Sequence, residues 1–212
     1  MKKEHPKEPQ EPLSKAERWE RTHETLRLTA ARLLRTQGLR LPSVADVMKG
    51  AKLTVGGFYG HWESKEALFE EALREALRGN WSALVAESRG ETAKERLTWI
   101  LRRYLSRSHR DNPEAGCPLP STLSDISVLG EPYQKAFAEE VEELAAGLGE
   151  VAEPLGGKQL ALGLFALMVG GLSLARATVG TPLSDVILTA SRALAYAALE
   201  RAEQKASEKD KP

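Results

Sequence analysis

Val55, Gly56, Gly57, Phe58, Tyr59 and Gly60 place three glycines in one short helical window, and no other stretch constrains the fold and use of this 212-residue chain as tightly. Thr54 is a good N-cap residue, so a helix is expected to open at Val55. Ser64 does the same for a second helix that opens with Lys65 and Glu66. The helix between these caps is about eight residues long, too short to be stable alone, and each of Gly56, Gly57 and Gly60 weakens it by about 1 kcal/mol relative to alanine. Close approach of backbone to a large partner is one reason for a helix to give up side chains, and a wall of phosphates is such a partner.

The residues upstream complete a unit around this window. Ser43 followed by Asp46 is a capping-box start, after which Val44, Val47 and Ala51 fall on one helical face that Leu53 and Phe58 can cover. Before it, Leu26, Ala30, Leu33 and Leu34 recur at helical spacing from about Arg18 to Gln37, and Gly38 supplies a C-terminal cap. The pattern is helix, short turn, helix, with the second helix set to enter a major groove and the first to cross the backbone.

On these residues the run from Leu26 through Ala67 resembles the amino-terminal DNA-binding domain of the tetracycline-repressor (TetR) family of transcriptional regulators. The likeness lies in the helix lengths, Gly38, the Ser43 start, the Gly-x-x-Tyr unit of Gly56 and Tyr59, and the finish of Ser64, Lys65, Glu66, Ala67 and Leu68. Lys52 stands where the family usually places the turn glycine, and Val55 where a lysine is common. The resemblance implies an all-α protein, an amino-terminal three-helix helix-turn-helix domain followed by a larger helical ligand-binding and dimerisation domain.

Within the reading helix Thr54, Val55, Gly57, Tyr59 and His61 are the candidates to face DNA, while Phe58 and Trp62 look inward. Val55 can touch a thymine methyl, Thr54 and Tyr59 can bond phosphate or a base edge, and Gly57 can let the backbone approach the strand. With no arginine or asparagine on that face, specificity is expected to rest on apolar contacts and DNA shape. Ser43 and Lys65 complete the candidate set. A lysine in a first helical turn opposes the helix dipole, and bound phosphate would remove that penalty.

Charge separates two jobs. Residues 21–62 hold seven Lys and Arg (Arg21, Arg27, Arg32, Arg35, Arg40, Lys49, Lys52) against Glu24 and Asp46, whereas residues 63–212 carry 18 basic and 23 acidic side chains. The first segment favours polyanions and the second does not. Residues 1–14, charged and carrying Pro6, Pro9 and Pro12, are read as a disordered arm, residues 15–64 as the helix-turn-helix domain, 65–204 as the effector-binding and dimerisation domain, and 205–212 as a disordered tail. Roughly nine helices are expected, one of them carrying Leu97, Ile100, Leu101, Tyr104, Leu105 and Ser108 on a single face. The single cysteine, Cys117, excludes an intramolecular disulfide and suits a reducing cytosol, so a cytoplasmic protein is expected.

Leu160 to Val179 is the most hydrophobic stretch, with Arg176 as its only charge. No basic or aromatic cluster flanks it, so it is read as buried by protein and not as a membrane span. Its expected partner is the last helix, where Leu183, Ile187, Ala190, Leu194 and Ala197 form one face that Val186, Ala193 and Leu199 widen. One monomer would not cover both helices, so a homodimer through helices 158–179 and 182–204 is expected, with Gly170, Gly171 and Ala175 allowing close approach.

Trp99, Tyr104, Cys117, Phe137, Phe165 and Met168 are the candidates to enclose an internal effector pocket. His109, Arg110, Asp111 and Asn112 precede Cys117, but no glycine-framed nucleophile motif or metal-ligand spacing accompanies them, so neither an enzyme nor a cofactor nor a metal is expected. The reading is of a homodimeric, ligand-responsive repressor that binds a palindromic operator in double-stranded DNA and is released by a small-molecule effector. The competing readings are a helical scaffold that no longer uses its amino-terminal bundle on DNA, and an enzyme.

Overall fold

The computed structural model describes residues 14–209, which form nine α-helices and three short 3-10 segments with no strand. Helix α1 (Lys15–Gln37) starts before the expected Arg18 because Ser14 and Glu17 make a reciprocal cap. The Ser14 hydroxyl accepts the Glu17 N–H, and the Glu17 carboxylate accepts the Ser14 N–H at 2.7 Å. The rest of the arm expected over residues 1–14 lies outside the described residues. Helix α2 (Val44–Gly50), a 3-10 segment (Val55–Gly60) and α3 (Lys65–Ala86) follow, and Leu26, Leu34, Val47, Phe58, Leu68 and Phe69 close the small core between them.

Helix α3 continues into a larger bundle of α4 (Ala93–Tyr104), α5 (Arg107–Asp111), α6 (Leu119–Leu129), α7 (Tyr133–Ala152), α8 (Gly157–Ala177) and α9 (Pro182–Lys209). The single helix expected through Ser108 breaks after Tyr104. Leu105 leaves helical geometry, and the Ser106 hydroxyl then caps a new helix by accepting the His109 N–H. Helix α9 runs through Lys209, so residues 205–209 are helical where a disordered tail is expected, and the rest of that tail lies outside the described residues. Between α3 and α7 the buried Glu140 carboxylate takes Arg78 at 3.0 Å and Arg74 at 3.5 Å, which holds a charge in the interior by pairing it.

Helix α8 lies between α7 and α9 and buries Ala161, Leu164, Phe165, Met168, Leu172 and Ala175. A Cβ added at Gly171 would stand 2.5 Å from Ser191 Oγ of α9, and Ser184 Oγ donates to the Ala175 carbonyl at 2.7 Å. Gly171 and Ala175 therefore serve the contact within one chain, not the subunit contact expected for them. Helix α9 packs inward with Ser184, Leu188, Ala195 and Leu199, and Leu183, Val186, Ala190 and Leu194 face outward. On α8 the outward residues are Leu162, Gly163, Ala166, Gly170 and Leu174. By length and composition α8 is apolar enough to cross a membrane, yet its inner face is part of the continuous core.

Four hydrogen bonds join the end of α1 and the residues just after it to the larger bundle. Ser121 Oγ donates to the Leu34 carbonyl at 2.7 Å, the Asp125 carboxylate accepts the N–H of Leu39 at 2.8 Å and that of Arg40 at 3.2 Å, and Arg35 Nε donates to the Gly116 carbonyl at 2.9 Å. Gly38 caps α1 at φ 77°, and a Cβ there would lie 2.5 Å from Asp125 Oδ2, so both its backbone and its neighbours require glycine.

Candidate nucleic-acid interface

Helix α2 begins as its sequence predicts. The Ser43 hydroxyl accepts the Asp46 N–H at 3.2 Å and donates to the Asp46 carboxylate at 2.6 Å, which itself accepts the Ser43 N–H at 2.8 Å. These bonds hold the Asp46 carboxyl below the usual carboxylate range. The turn after α2 passes through Lys52 at φ 60°, the one non-glycine residue with positive φ among the described residues. The family's usual turn glycine is absent here, but the left-handed geometry that glycine favours is kept.

The reading element is a six-residue 3-10 helix, tighter and shorter than the α-helix expected, and Thr54 makes no side-chain cap. Its glycines account for both differences, since they give little propensity to an α-helix and short 3-10 runs tolerate them. Phe58 is fully buried as expected, while Leu53, expected to share the cover of α2, is 39% exposed. Outward stand Thr54, Val55, Gly57 and Tyr59, with Tyr59 73% exposed. A Cβ would meet nothing within 4 Å at Gly56 or Gly60, and only Met48 Cε at 3.9 Å at Gly57. None of the three has a positive φ. Neither backbone geometry nor packing within the chain calls for glycine at these positions.

His61 sits beside the exposed face in an aromatic stack. Its ring is 4.9 Å from Trp19, and the Trp19 ring in turn lies 4.8 Å from His23, which stacks on Trp62 at 4.0 Å. Trp19 Nε1 donates to the Gly60 carbonyl at 3.1 Å, and Trp62 Nε1 donates to Glu71 at 2.8 Å, so α1 and α3 together fix the end of the reading element. Burial, then the neighbouring His23, pushes the His61 pKa down. Sequence reading missed this stack because its members come from two segments far apart in the chain. Lys65 opens α3 with its ammonium 3.4 Å from the Arg40 carbonyl and 5.4 Å from the centre of the Phe69 ring. Part of the positive charge read in the sequence is spent internally: Arg27 pairs with Glu24 and Glu75, and Arg32 lies 3.8 Å from Glu114.

The six candidate effector residues do not surround one space. Tyr104 and Phe165 both pack on Trp81, at 4.9 and 5.2 Å, and with Cys117 and Met168 they belong to the close-packed core. Phe137 packs against that core, and Trp99 lines an open groove beside α4. Tyr104 alone of the six borders a cleft of about 360 Å³ between α1, α3, α4 and α5. At its edge His109 Nδ1 lies 2.7 Å from the Tyr104 carbonyl, and Nε2 accepts the Cys117 N–H at 3.0 Å. Burial pushes this imidazole down to about 4, and both ring nitrogens are used in its neutral form. Burial pushes the Cys117 thiol up, away from the thiolate that nucleophilic or redox chemistry needs.

A short helical reading element held by two supporting helices, carried on a separate all-helical bundle, defines a helix-turn-helix DNA-binding regulator. Residues 26–72 match the family described as bacterial regulatory proteins, tetR family. That amino-terminal segment carries the DNA-binding domain of the TetR family of transcriptional regulators, and the rest of the chain is matched by its fold. Its fold is similar to that of the reduced form of E. coli NemR, at 21% identity over 82% of this chain and 95% of that one, with a TM-score of 0.71. A TetR transcriptional regulator from Chloroflexus aurantiacus gives 20% identity over 86% and 96%, with a TM-score of 0.71. A putative TetR-family regulator from Rhodococcus sp. gives 18% over 86% and 99%, with a TM-score of 0.67. No curated protein matches the chain.

Proposed function

We propose that this regulator is a cytoplasmic repressor that binds a near-palindromic operator as a homodimer and is released by a small-molecule effector. The observation that carries the reading is the set of outward glycines: Gly56, Gly57 and Gly60 lower helix stability with no return inside the chain, and a closely approaching DNA backbone supplies the reason. Val55 and Tyr59 stand beside them as the side chains that reach the groove, with Thr54, Ser43 and Lys65 toward the phosphates. Ser43 acts there through the helix start it caps. His61 acts by bracing the element and not by touching bases.

Pairing through the outer faces of α8 and α9 buries Leu162, Leu174, Val179, Leu183, Val186 and Leu194, all more than a third exposed in the single chain. Gly163, Ala166 and Gly170 keep the outer face of α8 low enough for close helix approach. Two reading heads related by a two-fold axis then meet half-sites roughly 34–36 Å apart, or a multiple of that. Effector binding shifts the heads through the α1 joint, and DNA and effector weaken each other by the same factor, typically about 1–3 kcal/mol. Selection from random duplexes at low salt tests the reading. It enriches an inverted repeat, and enrichment of unrelated or single half-sites contradicts the two-headed mode.

A further inference from the structure

The cleft at the α1 joint holds two arginines that no carboxylate pairs with, and its one acid stands exposed at the rim. Arg35, half-buried, enters from α1 and makes a single hydrogen bond, to the Gly116 carbonyl. Arg103 enters from α4, and neither guanidinium has a carboxylate within ion-pair distance among the described residues. Behind them Arg176 donates to the His109 carbonyl at 2.8 Å and also reaches the carbonyls of Arg110 and Cys117, so it too is unmatched by an acid. Asn80 and Asn112 add amide groups, and His109 is neutral. Glu87, the one acid lining the cleft, lies exposed where α3 ends.

The half-buried Arg35 guanidinium has lost part of its hydration without gaining an anion, and its planar fork suits a carboxylate held by two parallel bonds, with the exposed Arg103 at the mouth adding a second charge. The volume of about 360 Å³ falls at the small end of ligand sites, which run from about 300 to 1,000 Å³. We propose that this cleft is a binding site for a small organic carboxylate, its acid group on Arg35 and Arg103 and its remaining polar atoms on Asn80 and Asn112. Such a ligand competes with the Gly116 carbonyl for Arg35. It therefore acts on the last turn of α1, within a few residues of the bonds from Ser121 to Leu34 and from Asp125 to Leu39. That this ligand is the effector rests on the regulator reading above; that it binds does not.

Calorimetry and thermal unfolding of the full chain without DNA, at neutral pH, test the site with benzoate, succinate and 2-oxoglutarate against benzamide and succinamide. At least one acid binds saturably and raises the unfolding temperature, and the amides do not. Arg103→Gln and Arg35→Met each weaken that binding by about tenfold or more, as loss of a charge-assisted bond requires. Arg102→Gln, an exposed neighbour outside the cleft, leaves it unchanged. Should Arg35→Met fail to fold, Arg103→Gln decides, because its side chain is solvent-exposed. Absence of binding by all three acids, equal binding of the amides, or unchanged affinity in Arg103→Gln overturns the proposal. Because DNA is not in the assay, failure of the operator reading leaves the result standing.

Discussion

Asp125, on α6 of the larger bundle, accepts the backbone N–H of Leu39 at 2.8 Å and that of Arg40 at 3.2 Å, four residues or fewer before the helix-turn-helix cap at Ser43. One carboxylate thus satisfies two N–H groups just past the end of α1 and ties the reading unit to the rest of the molecule. Hydrogen bonds to a charged group contribute about 1.5–3 kcal/mol each, and the part-buried bond from Leu39 counts for more than the exposed one from Arg40. Asp125→Ala is expected to lower stability by about 1–3 kcal/mol in urea unfolding. Hydrogen exchange at Leu39 and Arg40 should accelerate, and unchanged exchange would show that the tie is not made in solution.

Lys52 holds a left-handed conformation that costs a non-glycine residue about 1 kcal/mol. Lys52→Gly is expected to raise stability by about that amount in thermal or urea unfolding, against the usual loss from adding a glycine. A decrease would mean that the Lys52 side chain contributes more than its backbone strain costs.

His109 sets a pH dependence. Its pKa falls from the usual 6.5 to about 4 because burial disfavours the charged ring. Above 6.5 both folded and unfolded chains hold it neutral and it contributes no slope. Below that the unfolded chain takes up the proton first, so stability falls as pH drops from about 6.5 to about 4, by up to about 3 kcal/mol. Replacement by glutamine should flatten this part of the urea-unfolding profile between pH about 4 and 7, after allowance for carboxylates that titrate near its lower end. An unaltered slope would assign the acid sensitivity elsewhere.

Val186 and Leu194 lie on the outer face of α9, each 58% exposed in the single chain. Val186→Glu or Leu194→Glu is expected to weaken self-association by about a hundredfold, close to 2.7 kcal/mol, while the single chain stays folded. Sedimentation equilibrium measures the first and circular dichroism the second. Unchanged dimerisation would move the subunit contact to another surface.

The sequence made some elements legible and hid others for identifiable reasons. Ser43, Asp46, Ser64 and Gly38 act within a few residues of themselves, so local pattern located the ends of their helices. The Ser14 and Glu17 cap obeys the same rule but stands next to a proline-rich, charged stretch that masked it. Phe58 and Trp62 are readable as core because they stand four residues apart, which places both on the face of the element opposite Tyr59. The bonds from Asp125 to Leu39 and from Arg35 to Gly116, and the stack of Trp19, His23, His61 and Trp62, join residues distant in the chain, and no periodicity encodes them. Aromatic content in the large domain suggested an enclosed pocket, but Trp81, Tyr104 and Phe165 fill the space by packing on one another, and the accessible cleft formed at a joint between helices instead.

The direct test of a DNA-facing reading element is Gly57→Ala, measured for both stability and affinity toward the selected duplex. The added methyl group meets nothing closer than Met48 Cε at 3.9 Å, so stability is expected to hold or to rise by up to about 1 kcal/mol. Affinity for the duplex is expected to fall by about tenfold or more, because the methyl group occupies the space that the DNA backbone needs. A stable Gly57→Ala protein that binds the duplex as tightly as the parent would contradict a Val55–Gly60 element seated against DNA.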